Sequence, residues 1–253
     1  LGATPLFFLD YIAMGKDDPS LLEQLVSGVS NGCQQAQSAL LGGETAIMPD
    51  MYAAGDFDMA GFSVGVAERD ELVDGRKRIQ PGDVLIGIPS SGFHSNGYSL
   101  ARQVAFQIGG CQLTDRVPGS NQTVQETLLE PTRIYAAAVR QVLNPYKVKS
   151  VVHGIAHITG GGLAENLQRI VPATVAVKIR SNSWTAPPVF AWLQQLGGIE
   201  LDEMRRVFNM GIGLTMVVSP FYANKVVQLL ERAGYECSEI GHVVSGTGQV
   251  HVE

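Results

Sequence analysis

Leu40-Leu-Gly-Gly-Glu-Thr-Ala-Ile-Met-Pro49, followed by Met51-Tyr52 and closed by Gly55-Asp-Phe-Asp58, separates two segments of different hydrophobic period. Upstream, Asp18-Pro19 reads as an N-cap and first helical residue, and Leu22, Leu25, Val26, Val29, Cys33, Ala36 and Leu40 recur at helical spacing. That spacing predicts a long amphipathic helix running into Gly42-Gly43. Downstream of Asp58, Ala60, Phe62, Val64 and Val66 alternate with Gly61, Ser63 and Gly65, the period of a strand with one buried face. Leu6 to Ala13, with Asp10 as its one charge, suits a buried strand.

Arg76 to Gly82 gathers charge, proline and glycine between two apolar strands and is the best boundary. It divides the chain into residues 1–78 and 79–253, with Arg76-Lys77-Arg78 as a solvated turn. Beyond it, strands are expected at Val84 to Ile88, Val175 to Ile179, Gly211 to Val218 and Glu239 to Val244. Helices are expected at Ser95 to Ile108, Pro131 to Leu143, Pro187 to Leu196 and Phe221 to Ala233, with residues 111 to 130 polar and turn-rich. Hairpin-like and helix-crossover links are mixed, so the expected class is α+β in two domains and not a doubly wound parallel sheet.

At 253 residues and 45% hydrophobic content the chain can bury two ordinary cores, and a net charge of −6 offers no basic footprint for nucleic acid. No apolar run approaches a membrane span and no secretory leader opens the chain, so a cytoplasmic setting is expected. Cys33, Cys111 and Cys237 are odd in number and far apart, which fits reduced thiols better than disulfides or zinc.

Four glycine-bearing segments carry the chemistry. Gly42-Gly43 frees the backbone for an anion, while Glu44 and Thr45 offer the oxygens a magnesium ion prefers; either could equally be an ordinary turn residue. Ser90-Ser-Gly-Phe-His-Ser-Asn-Gly-Tyr-Ser-Leu100 follows a strand and enters a helix, so Ser91, Gly92, Ser95, His94 and Asn96 would surround a phosphate. Thr159-Gly160-Gly161-Gly162 repeats that logic before Leu163. In Phe208-Asn-Met-Gly-Ile-Gly213, two glycines at a strand start imply either close backbone approach to a ligand or a bulge. Asp56 and Asp58 are turn formers or further metal ligands, and Asp10 is a site residue or the partner of a buried donor. His153 and His157 have the spacing of a helical metal pair, but Gly154 argues against a helix and no third ligand is evident.

Taken in order after Gly2-Ala3-Thr4-Pro5-Leu-Phe-Phe-Leu-Asp10-Tyr11, these segments resemble the phosphoribosylformylglycinamidine cyclo-ligase (aminoimidazole ribonucleotide synthetase) family, from Gly2 to about Gly241. The resemblance implies ATP- and Mg2+-dependent ring closure of formylglycinamidine ribonucleotide in purine biosynthesis. It also implies a homodimer whose first domains pair their small sheets, and a second domain with a mixed sheet and packed helices. On this basis His94 and Asn96 are assigned as catalytic, Glu44 as the metal ligand, and Gly42, Gly43, Thr45, Asn209 and Gly211 as ATP-binding. Ser91, Gly92, Ser95, Thr159, Gly160, Gly161 and Gly162 are assigned to the substrate phosphate, with the division of loops between the two ligands left open. The family carries a glutamate at Ile47 and a glycine at Asp50, and its pattern implies active-site residues upstream of Leu1. The alternatives are another ATP-using enzyme of the same fold, of amidotransferase, selenophosphate synthetase or thiamine phosphate kinase type, or a non-catalytic nucleotide-binding paralogue.

Overall fold

The structure is a computed structural model that describes residues 2–146 and 149–253; Leu1, where the expected first domain starts, lies outside the described residues. Contacts divide the chain into a first unit, extending to Leu72 and including Ile134–Arg140, and a second formed by Val73–Arg133 and Gln141–Glu253.

In the first unit, β1 (Thr4–Met14) is the centre of a three-stranded sheet, parallel to β2 (Ala39–Ile47) and antiparallel to β3 (Phe57–Val66). The parallel step is made through α1 (Pro19–Ala36), as such a crossover requires. Asp18 caps α1 by accepting from the Leu21 N–H at 3.1 Å, a bond worth about 1 kcal/mol, with Pro19 at the first helical position as expected.

The other end of α1 corrects the sequence reading. Gln37, not a glycine, adopts the left-handed conformation (φ 56°), and its N–H closes the helix on the Cys33 and Gln34 carbonyls. Leu40 therefore lies beyond the helix, and Gly42-Gly43-Glu44-Thr45 falls within β2, where parallel pairing to β1 takes up its backbone. The strand from Asp58 is also corrected: β3 is exposed along its whole length, with Phe62 at 70% and Val66 at 55%.

The second unit is built on a six-stranded sheet in the order β5-β7-β4-β8-β6-β9, comprising β4 (Val84–Pro89), β5 (Val152–His157), β6 (Val175–Ile179), β7 (Ile212–Val218), β8 (Ser238–Ser245) and β9 (Val250–Val252). Every pairing is antiparallel except β6 with β9, which bears out the α+β expectation. Arg76-Lys77-Arg78 belongs to a short helix, α2 (Gly75–Arg78), and not to a turn. The helix expected from Ser95 starts later, as α3 (Tyr98–Arg102), and continues as a π-helical stretch, Gln103–Ile108.

Residues 111 to 130 contain α4 (Val124–Leu129), held by a capping box in which Thr123 and Glu126 bond each other's backbone N–H. The helix expected from Pro131 begins only at Ala136 (α5, Ala136–Leu143). The remaining helices are α6 (Gly162–Gln168), α7 (Pro188–Gly197), α8 (Leu201–Val207) and α9 (Ala223–Arg232).

Among the described residues, two apolar clusters pack against the sheet and helices of this unit. Leu163 and Leu167 of α6 pack with Leu85, Val177, Ile179 and Ile240 of the sheet. Phe93, Phe190 and Phe208 meet with ring centroids 5.3 to 6.0 Å apart and join α7 and α8 to the loop after β4. No helix among the described residues is long and apolar enough to cross a membrane.

Candidate functional site

Strand order explains how three distant glycine segments meet. β7 lies between β5 and β4 and runs antiparallel to both, so the C-terminal ends of β4 and β5 flank the start of β7: Pro89 pairs with Ile212, and His157 with Leu214. The loops leaving β4 (Ser90–Asn96) and β5 (Thr159–Gly162) and the one entering β7 (Phe208–Gly211) therefore emerge side by side. The His94 and His157 ring centroids are 6.2 Å apart, and a Cβ on Gly160 would lie 3.5 Å from Asn96 Oδ1.

Asn209, only 3% exposed, binds two of these loops together with all of its hydrogen-bonding capacity. Its Nδ2 donates to the carbonyls of Gly92 (2.8 Å) and Phe93 (3.2 Å), while its Oδ1 accepts from the Ser90 hydroxyl (2.9 Å) and the Gly211 N–H (2.8 Å). The Ser90 N–H donates in turn to the Gly211 carbonyl at 2.9 Å. Asn166, 4% exposed, serves the loop after β5 in the same way, donating to the Thr159, Gly160 and Gly162 carbonyls and accepting from the Thr159 hydroxyl. The Gly161 and Gly162 amides are already engaged, to Arg206 O and Thr159 O, both at 3.1 Å. Gly162 has φ 61°, and a side chain there would run into the Arg205 carbonyl, so glycine is required sterically.

His94 is 2% exposed, sits at φ 58°, and accepts from the Ser91 N–H through Nε2 at 3.1 Å. Burial pushes its pKa down to about 4, with His157 and the Arg133 guanidinium adding to the effect. The ring is therefore neutral at physiological pH and can bond a ligand without presenting a charge.

A segment that sequence reasoning missed adjoins this loop. The Ser91 hydroxyl donates to the Pro131 carbonyl (2.7 Å), the Ser95 and Thr132 hydroxyls bond at 2.9 Å, and Arg133 Nη1 donates to the Pro89 carbonyl (3.2 Å). Arg133 was hidden because Pro131 to Leu143 read as one helix, in which it would be a surface charge.

The assigned metal and nucleotide residues of β2 are all exposed. Gly43 pairs with Asp10 and Glu44 with Tyr11, so Glu44 and Thr45 project from opposite faces of the sheet and do not meet on one side. A side chain at Gly43 would strike the Asp10 carboxylate, which accounts for that glycine, whereas Gly42 has open space above it. Asp58 accepts from the Tyr52 hydroxyl (3.4 Å) and the Met59 N–H (2.8 Å). Asp56 lines a polar cavity of about 270 Å³ with Lys16, Asp17 and Asp18. Among the described residues no three His, Cys, Asp or Glu side chains gather as a metal site. A single carboxylate such as that of Glu44 is still compatible with magnesium, which commonly takes one or two protein carboxylates and completes its shell with phosphate oxygens and water.

His153 and His157 lie on β5, not on a helix, and His153 is engaged elsewhere, its Nδ1 2.7 Å from Asp83 Oδ2.

Residues 1–67 match the N-terminal domain, and residues 80–253 the C-terminal domain, of AIR synthase related proteins. The chain is 47% identical over 247 residues to the chloroplastic phosphoribosylformylglycinamidine cyclo-ligase of Arabidopsis thaliana, covering 98% of this chain and 62% of that protein. It is 47% identical over 253 residues to the phosphoribosylformylglycinamidine cyclo-ligase of Bacillus mycoides, covering 100% of this chain and 71% of the relative. Among solved structures, thiamine-monophosphate kinase from Stenotrophomonas maltophilia superposes with a TM-score of 0.71 at 19% identity, covering 100% of this chain and 73% of that one. Hydrogenase maturation protein HypE in complex with ATP does so with a TM-score of 0.68 at 21% identity, covering 100% and 71%. At these identities the structural likeness establishes the fold alone.

Proposed function

This chain belongs to the phosphoribosylformylglycinamidine cyclo-ligase family, and on that premise we propose that the protein closes the imidazole ring of aminoimidazole ribonucleotide. The formyl amide oxygen of formylglycinamidine ribonucleotide takes the γ-phosphoryl group of ATP, releasing ADP. An amidine nitrogen then attacks the activated formyl carbon, and the phosphorylated oxygen departs as phosphate.

The observation that carries this reading is the convergence of the Ser90, Thr159 and Phe208 loops at adjacent strand ends, with neutral His94 and Asn96 between them. Phosphoryl transfer asks for positioning and charge stabilisation more than for a protein nucleophile, and a rigid loop cluster supplies the positioning. His94 and Asn96 orient the reacting amide, while Ser91, Gly92, Ser95 and the Thr159 to Gly162 loop form the wall at which the ribonucleotide phosphate sits, Ser91, Gly161 and Gly162 by shaping it, since their own donors are taken up within the protein. Asn209 and Gly211 act by holding the Ser90 loop in place.

β2 is an edge strand, so Gly42, Gly43 and Thr45 would hold a nucleotide along that edge, and Glu44, on the face opposite Thr45, would hold the magnesium ion that supplies charge neutralisation at phosphates crossing the edge. HypE, which shares the fold, was solved in complex with ATP, in keeping with the use of a nucleotide though not with any particular site for it. Residues 1–78 form the ATP-binding and dimerisation domain and residues 79–253 the synthetase domain, in a cytoplasmic enzyme. A homodimer formed through the first sheet would cover the exposed apolar side chains Phe62, Val64 and Val66, which share one face of β3.

Turnover separates this reading from the other ATP-using enzymes of the fold. ADP release that requires formylglycinamidine ribonucleotide supports the cyclo-ligase. Nucleotide binding without release would indicate a binding-only relative.

A further inference from the structure

We infer that Arg133 is the cation of the candidate site that receives the phosphate monoester of the substrate. No expectation drawn from the sequence included it.

Three bonds draw Pro131, Thr132 and Arg133 against the loop after β4: Ser91 Oγ to Pro131 O at 2.7 Å, Ser95 Oγ with Thr132 Oγ1 at 2.9 Å, and Arg133 Nη1 to Pro89 O at 3.2 Å. The guanidinium is thus anchored at the root of the loop that carries Ser91, His94 and Ser95. That anchoring uses one of its five N–H donors.

Arg133 is half-buried, and among the described residues no carboxylate lies within ion-pair distance of it. Two exposed arginines of the unit have such partners, Arg180 with Glu239 at 3.2 Å and Arg206 with Glu203 at 2.6 Å, whereas Arg133 combines partial burial with the lack of one. A partly desolvated cation without a counter-charge is a cost that a bound anion relieves. The planar fork of arginine suits two oxygens of a phosphate, and whichever of the adjacent Ser95 and Thr132 hydroxyls accepts in their mutual bond keeps one further O–H to donate. The field of Arg133 also reaches His94, where it opposes protonation, so the guanidinium and not the imidazole supplies the positive charge. The neighbouring loop lacks free amides at Gly161 and Gly162, which leaves Arg133 the stronger anchor.

The identity of the phosphate as that of the ribonucleotide rests on the cyclo-ligase reading; the anion site itself does not. The test is binding of inorganic phosphate to the full-length protein by titration calorimetry, in wild type, Arg133→Gln and Arg133→Lys, with thermal melting to verify the fold. The inference predicts that phosphate binds the wild type, that Arg133→Gln weakens binding about tenfold or more, and that Arg133→Lys recovers part of it as a point charge without the fork. Equal binding by wild type and Arg133→Gln, or none by the wild type, overturns it.

Steady-state kinetics then assign the source of the phosphate. A raised KM for formylglycinamidine ribonucleotide with an unchanged KM for ATP is expected in Arg133→Gln, and the reverse pattern contradicts the assignment. Weakened phosphate binding in a protein whose wild type shows no ribonucleotide-dependent ADP release would sustain the anion site and defeat the cyclo-ligase reading.

Discussion

The backbone N–H of Ser91 donates to Nε2 of His94 across 3.1 Å, and this contact sets the tautomer of the imidazole. With Nε2 committed as acceptor, the proton of the neutral ring resides on Nδ1. His94 thus offers one defined donor held by a left-handed backbone, consistent with an orienting role and not with a cationic one.

His94 titrates near pH 4 in the folded protein, below its ordinary 6.5. Because the folded value is depressed, the unfolded chain takes up the proton first. The stability contributed by neutral His94 is complete above pH 6.5 and is lost as the pH falls toward 4. Imidazole NMR should show no protonation of His94 between pH 8 and about 5, and His94→Gln should reduce the acid dependence of the thermal midpoint. A titration midpoint near 6.5 would contradict the buried, neutral assignment.

Asn209→Asp should loosen the Ser90 loop. The substitution places carboxylate oxygens against the Gly92 and Phe93 carbonyls where the amide now donates, at a cost of about 2 kcal/mol or more. Amide exchange at Gly92 to His94 should accelerate, with a fall in kcat larger than any change in the ATP requirement. Unchanged exchange would show that Asn209 does not hold the loop.

At the opposite ends of β4 and β5, Asp83 is fully buried and bonds His153 Nδ1 at 2.7 Å and the Gln80 N–H at 2.9 Å. His153→Ala removes the charge partner of that carboxylate and should destabilise the protein by about 3–5 kcal/mol in urea melts. The Asp83 hydrogen bond raises the His153 pKa above 6.5. The pair's contribution is therefore full below pH 6.5 and fades as the pH rises through the raised value. Asp83→Asn should abolish that alkaline decline, and a decline that persists would place its origin elsewhere.

Phe62 is 70% exposed on β3, within a row on one face of the strand that includes Val64 and Val66. If two copies of the chain bury this face, Phe62→Asp should shift sedimentation from dimer to monomer at micromolar concentration without unfolding the protein. A variant that sediments as the wild type does would exclude this face from the dimer contact.

Local chemistry decided what the sequence could disclose. Asp18-Pro19 announced the start of α1 because an N-cap and a first-turn proline act on their immediate neighbours. Its end was hidden: Gln37 closes the helix in a conformation that usually calls for glycine, and Leu40 falls by coincidence on the helical spacing. β5 was missed because Gly154 and two histidines interrupt any apolar alternation; that glycine lies where a Cβ would press Ile79 at 2.7 Å. β9, three residues long, carries too little pattern to be seen. The three loops of the site were visible as glycine-rich segments. Their meeting depends on β7 lying between β4 and β5, and the approach of Arg133 depends on long-range contacts that local spacing does not encode.

The most direct test of the account is ADP formation by the full-length protein with magnesium and ATP, measured with and without formylglycinamidine ribonucleotide. Release that depends on the ribonucleotide is expected, accompanied by aminoimidazole ribonucleotide in equal amount. ADP release indifferent to the ribonucleotide, or nucleotide binding with no release at all, would contradict it.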